Sequence, residues 1–178
     1  MSDRSRISTH CPVGVIVMGV SGSGKSSIGR TLAKTEGWPF LEGDDLHPPG
    51  NIARMRAGLP LRDADRAPWL AAVRDWIASH LHEGHSAVAA CSALKRDYRD
   101  VLRQAGALRF ICLSVPTTEL ARRMQQREHF MPASLLDSQL STLELPGPDE
   151  NALVLQPAAP DELVARARQW LAVTTQRA

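Results

Sequence analysis

Residues 19–26 read G-V-S-G-S-G-K-S, and their types and spacing suit one task, the cradling of a triphosphate. The glycines let the main-chain N–H groups of Gly19, Val20, Ser21, Gly22, Ser23 and Gly24 converge on phosphate oxygens without interference from Cβ atoms. Lys25 can then bridge the β- and γ-phosphates of ATP, and the Ser26 hydroxyl is a ligand for the nucleotide's Mg²⁺. A Gly/Ser-rich turn could match the pattern by chance, so the flanking elements decide. Residues 13–18, V-G-V-I-V-M, are an apolar β-rich run suited to a buried parallel strand. After the loop Ile28 and Leu32 recur at helical spacing and Gly37 offers a stop, so strand, loop and helix follow in the required order. Gly29, inside that helix, implies close packing on the sheet.

A second set of polar residues follows the next expected strand, at 38–41. E-G-D-D-L-H-P-P-G falls where an open α/β sheet binds its ligands, at a strand's carboxyl end. The strand expected at 86–90 leads into Cys91 and Ser92, not into the aspartate that usually helps hold Mg²⁺. Asp44 or Asp45 is the alternative source of a carboxylate, and Asp44 is also placed to orient or deprotonate an acceptor hydroxyl. His47 can hydrogen-bond a polyol, and Arg54 on a short helix at 51–57 can clamp an anionic substrate. Lys95 and Arg96 begin a helix, where cations oppose the dipole, so an anion explains them better than helix stability does. In the helix that starts at Thr117 or Thr118, Arg123 and Arg127 lie about 40° apart at the border of an apolar side. Arginines there suit a lid, spanning about 117–148, that closes over phosphates and stabilises transferred charge.

The remaining elements must position these groups. Helical faces are expected around Trp69, Val73, Trp76, Ile77 and Leu81, with Asp63 or Asp65 as cap, then around Tyr98, Val101 and Leu102, and finally over 161–173. Strands are expected at 108–115 and 152–156. Strands alternating with helices define an α/β, three-layer fold with a five-stranded, mainly parallel sheet. Its strand order is not readable from the pattern. At 178 residues the chain suits a flexible leader over 1–12 and a single domain over 13–178.

Net charge is +2 and no Lys/Arg block is dense, which argues against a nucleic-acid partner. Nothing approaches a run of eighteen apolar residues, and the polar start lacks a signal-peptide core, so a cytoplasmic protein with no membrane partner is expected. Cys11, Cys91 and Cys112 lack paired spacing, and Cys91 reads as a small buried side chain. His80, His82 and His85 read as solvated, and Trp69, Trp76 and Trp170 as core.

Taken together, the phosphate loop, G-D-D-L-H-P at 43–48, N-I-A-R-M at 51–55, C-S-A-L-K-R-D-Y-R-D at 91–100 and H-F-M-P-A-S-L-L-D-S-Q-L-S-T-L-E at 129–144 resemble the small P-loop gluconokinases. The resemblance covers the chain from about residue 13 to the last helix. It implies an adenylate-kinase-like P-loop NTPase sheet of order 2-3-1-4-5 with a helical lid, a homodimer, and ATP-dependent phosphorylation of D-gluconate at its 6-hydroxyl for the pentose phosphate or Entner–Doudoroff route. It also implies that Asp44 addresses the substrate hydroxyl, that Arg127 belongs to the lid, and that Gln156 and Pro157 lie near adenine. Asp45 stands where relatives often carry an apolar or aromatic residue, and Glu128 where some carry glycine. A kinase for another small metabolite, such as shikimate, and a module that binds ATP without transferring phosphate are the competing readings.

Overall fold

The computed structural model describes residues 11–125 and 135–175. Five strands, β1 (Gly14–Met18), β2 (Phe40–Glu42), β3 (Ala87–Ala90), β4 (Leu108–Leu113) and β5 (Ala152–Leu155), form one sheet of order β2-β3-β1-β4-β5. All four pairings are parallel. The helices between them are α1 (Lys25–Glu36), α2 (Pro49–Arg56), α3 (Asp63–His82), α4 (Arg96–Arg103), α5 (Thr117–Gln125), α6 (Leu136–Thr142) and α7 (Pro160–Thr175).

Successive residues of β1 feed opposite faces, as the two-residue repeat of a strand requires. Val15 and Val17 join Ile28 and Leu32 of α1 and Leu163, Val164, Ala167 and Leu171 of α7. Ile16 and Met18 join Trp69, Leu70, Val73 and Ile77 of α3 and Tyr98 and Leu102 of α4. Both faces are therefore dry, which is why β1 is apolar throughout. Gly29 is the contact point of α1 with the sheet: a Cβ there would lie 2.9 Å from the Phe40 ring.

Element ends differ from the sequence expectation for local reasons. Strand β2 begins at Phe40 because the Trp38 N–H closes α1 on the Ala33 carbonyl, and Pro39 contributes only its carbonyl, to Val88. Helix α3 is capped neither by Asp63 nor by Asp65 at the N-cap position. Arg62 stands there, and Asp65, three residues on, accepts its backbone N–H at 2.9 Å. Strand β4 ends at Leu113, short of Pro116. Among the described residues no helix is long and apolar enough to cross a membrane. Arg127, Glu128 and His129 lie outside the described residues, as does most of the leader.

Candidate active site

The carboxyl ends of β1, β2 and β3 meet at one edge of the sheet, and the phosphate loop leaves β1 there. Gly19 has φ +144°, and a Cβ on it would come within 2.8 Å of the Ser23 hydroxyl, so only glycine turns the chain so tightly out of the strand. Its N–H bonds the Ser92 carbonyl at 3.3 Å and ties the loop to the end of β3. No side chain caps the first turn of α1, so its free N–H groups and positive dipole end face the loop, an arrangement that favours an anion. Lys25 opens that helix and is buried to 8% exposure.

One cleft joins Lys25 to the polar residues after β2. Asp44, His47, Arg66, Ser92 and Gln139 line it with Lys25, over an apolar floor that includes Leu94 and Trp69. Asp44 is half-buried, while Asp45 is exposed and outside the lining. The Trp69 indole N–H donates to the Gly43 carbonyl at 2.7 Å, and its ring stacks on His47 with centroids 4.2 Å apart. Trp69 is thus core and also the platform that fixes the residues after β2.

The hydrogen bonds around His47 define its role. The Asn51 side-chain nitrogen donates to the Asp65 carbonyl at 2.7 Å and lies 3.4 Å from His47 Nδ1. An amide oriented by one acceptor has a second N–H left for Nδ1, so Nδ1 accepts and Nε2 carries the proton. Burial pushes the His47 pKa down to about 4; the Arg66 charge adds to this and the Asp44 charge opposes it. The ring is therefore neutral at pH 7, a hydrogen-bond donor and not a charge.

This has a measurable consequence. An unfolded histidine titrates near 6.5, so below that pH the unfolded chain takes up a proton that folded His47 refuses until about pH 4. The associated stability is present above pH 6.5 and lost as pH falls. It amounts to about 2 kcal/mol between pH 7 and pH 5. Urea unfolding at the two pH values should show that much less loss in His47→Asn, whose carbonyl can keep the Asn51 bond; equal losses would contradict a neutral buried ring.

The other expected residues divide. Arg123 reaches the phosphate loop, with a guanidinium N–H 3.4 Å from the Gly22 carbonyl and Nε on Glu119 at 2.6 Å. Gln156 and Pro157 are exposed just beyond β5. Arg54 lies against Asp65 at 3.7 Å and donates to the Pro60 carbonyl, outside the cleft lining. Lys95 pairs with Asp63 at 2.8 Å, and Arg96 with Asp149 at 2.5 Å. The anions expected to explain Lys95 and Arg96 are thus supplied by the chain's own carboxylates.

Several residues escaped the sequence reading. Arg66 lines the cleft, with its guanidinium on the Leu61 carbonyl and 3.3 Å from the Tyr98 hydroxyl. Its position three and four residues before the core residues Trp69 and Leu70 was the available signal. Gln139 of α6 accepts the Ser21 backbone N–H at 2.7 Å, so α6 contacts the phosphate loop directly. Two buried oxygens at this edge, Ser23 Oγ and Glu42 Oε1, have no hydrogen-bond partner among the described residues. Such orphans fit a site that takes a polyanion and its cation.

A phosphate loop whose lysine shares one cleft with Asp44, His47 and Arg66, at the carboxyl edge of a parallel five-stranded sheet, has the form of a P-loop kinase site. The family model described as an AAA domain matches residues 15–146. Over 138 residues the chain is 56% identical to a gluconokinase of Gluconobacter oxydans, covering 76% of this chain and 78% of that protein. A solved gluconokinase from Sinorhizobium meliloti superposes with a TM-score of 0.85 at 46% identity, covering 94% of this chain and 96% of that one. A sugar kinase from Janibacter gives 0.86 at 47%, covering 93% and 97%. The chain belongs to the gluconokinase family.

Proposed function

We propose that the protein transfers the γ-phosphoryl group of ATP to the 6-hydroxyl of D-gluconate. What carries the reading is the single cleft that places Asp44, His47 and Arg66 beside Lys25. Relatives of this similarity are named for the same activity.

In this mechanism the loop amides and Lys25 hold the triphosphate, with Arg123 at the loop's outer side. The Ser26 hydroxyl is the chain's ligand for the nucleotide's Mg²⁺, which when bound offsets phosphate charge. Arg66 supplies a cation for the gluconate carboxylate, and the His47 Nε2–H donates to a hydroxyl along the chain of the sugar acid. Asp44 accepts the proton of the 6-hydroxyl as its oxygen bonds phosphorus; the bond from phosphorus to the departing ADP oxygen breaks. Arg127 as part of a lid over 117–148, Gln156 and Pro157 beside adenine, and a homodimer belong to the same reading on the strength of the resemblance.

The test is ADP release by a coupled assay with gluconate, with shikimate and with no acceptor. Gluconate should accelerate release well above the other two; equal rates would refute the proposal. In Asp44→Asn, kcat should fall about 10²-fold with ATP binding changed little, since a positioned base contributes at least that much. Weakened ATP binding at unchanged kcat would make Asp44 a structural residue.

A further inference from the structure

The chain lacks the carboxylate that a phosphate-loop enzyme ordinarily keeps on the strand beside the loop to help hold Mg²⁺. Strand β3 ends at Ala90 and runs into Cys91 and Ser92. Cys91 is fully buried, and burial pushes its thiol up to about 12. A thiol that stays protonated is no ligand for a hard cation, which takes oxygen donors. Asp45 is exposed, and Asp44 faces the acceptor cleft beside His47.

The sheet register supplies another candidate. Glu42, the last residue of β2, pairs with Ala90 in the parallel alignment of β2 with β3. Gly43 presses the two strand ends together: a Cβ there would lie 2.4 Å from the Ala90 carbonyl oxygen. A carboxylate displaced by one strand thus arrives at the same edge of the sheet. The Ser26 hydroxyl is its neighbour, and the charges of Lys25 and Asp44 are close enough to act on it. Its Oε1 is buried without a hydrogen-bond partner among the described residues, while the carboxylate otherwise has the Ser26 hydroxyl as a hydrogen-bond donor and the distant, largely exposed Arg30 guanidinium, 3.8 Å from Oε2. An unpaired buried carboxylate oxygen costs on the order of 1–3 kcal/mol, and water held by a cation would satisfy it.

We propose that Glu42 takes the place of the missing strand-end aspartate: Ser26 ligates Mg²⁺ directly, and the orphaned oxygen of Glu42 accepts from the cation's water shell. The inference rests on the kinase reading of the site. It assigns to Glu42 the metal role for which the sequence offered Asp44 or Asp45, and it leaves Asp44 to the acceptor.

Calorimetric titration of ADP, in EDTA and again with saturating Mg²⁺, distinguishes a failure of the kinase reading from a failure of the role given to Glu42. Failure of the native protein to bind ADP in either condition would count against the kinase reading itself. In Glu42→Gln, metal-free ADP affinity should stay within about twofold of native, while the gain conferred by Mg²⁺ should shrink about 10-fold or more, the usual effect of losing a carboxylate that orients a metal's ligands. Binding of Mn²⁺ to the ADP complex, followed by its electron paramagnetic resonance signal, should weaken in parallel. An unchanged Mg²⁺ gain in Glu42→Gln, or its loss in Asp44→Asn instead, would overturn the assignment. If Glu42→Gln does not fold, Glu42→Asp, one methylene shorter, should give a reduced Mg²⁺ gain, and an unreduced gain would again overturn it.

Discussion

With Lys25 replaced by alanine, turnover of ATP with gluconate should fall at least about 10³-fold, the scale seen when a single preorganised charge is removed from a phosphoryl-transfer site. Lys25 is the first residue of α1, buried to 8% exposure, and its side chain lines the same cleft as Asp44. A cation held there meets charge that accumulates on the transferring group, in surroundings where water screens it poorly. ADP affinity should drop less than turnover, because the amides of the loop and of the first turn remain. Rates within about tenfold of native, in a variant with an unchanged denaturation midpoint, would contradict the placement of the γ-phosphate beside Lys25.

The phosphate loop was legible because its signal is local: eight consecutive residues, with a strand before and a helix after. The layered α/β class was legible for the same reason, from apolar runs alternating with helical faces. Strand order was not, since β2-β3-β1-β4-β5 is a set of long-range pairings that no local pattern encodes; only the resemblance supplied it. Asp44 and His47, which line the cleft, were visible as candidates because they follow a strand directly. Arg66 was missed because it lies on α3, far along the chain from both motifs, and reaches the cleft only through the packing of Trp69 under Gly43. Lys95 and Arg96 show a different limit of local reading. Their helix-start positions suggested an external anion, but Asp63 and Asp149, distant in sequence, sit against them. Glu42 needed the register of two strands before it could be seen opposite Ala90.

The residues that follow β3 are fastened by a buried ion pair. Arg99 of α4 is completely buried and uses its whole guanidinium. Nε and one terminal nitrogen grip Glu150 at 2.7 and 2.9 Å, while the other terminal nitrogen donates to the carbonyls of Ala93, Leu94 and Glu144 at 3.0–3.3 Å. Glu150, 2% exposed, also accepts from Arg103 at 2.6 Å and from the Gly147 N–H at 2.9 Å. Its carboxyl is held down to about 2, chiefly by Arg99. Ala93 sits at φ +44°, a conformation that an alanine does not choose unaided. Arg99 therefore fastens the residues beside Ser92, whose carbonyl anchors Gly19 of the phosphate loop.

Arg99→Met should cost about 3–5 kcal/mol of stability, as breaking a buried ion pair from one side does. Many buried ion pairs can be exchanged for apolar residues without loss, but this one should not be. In Arg99→Met/Glu150→Met the carboxylate is gone, yet the carbonyls of Ala93, Leu94 and Glu144 still lose their donor, so stability should stay well below native. Guanidinium unfolding of the native, single and double variants decides the matter. A double variant as stable as the native protein would mean that only the charge pair mattered and that the three carbonyls find other partners. The depressed Glu150 carboxyl adds a second reading: its contribution is present above pH 4.5 and lost as pH falls towards 2, so the gap between native and Arg99→Met should narrow over that window.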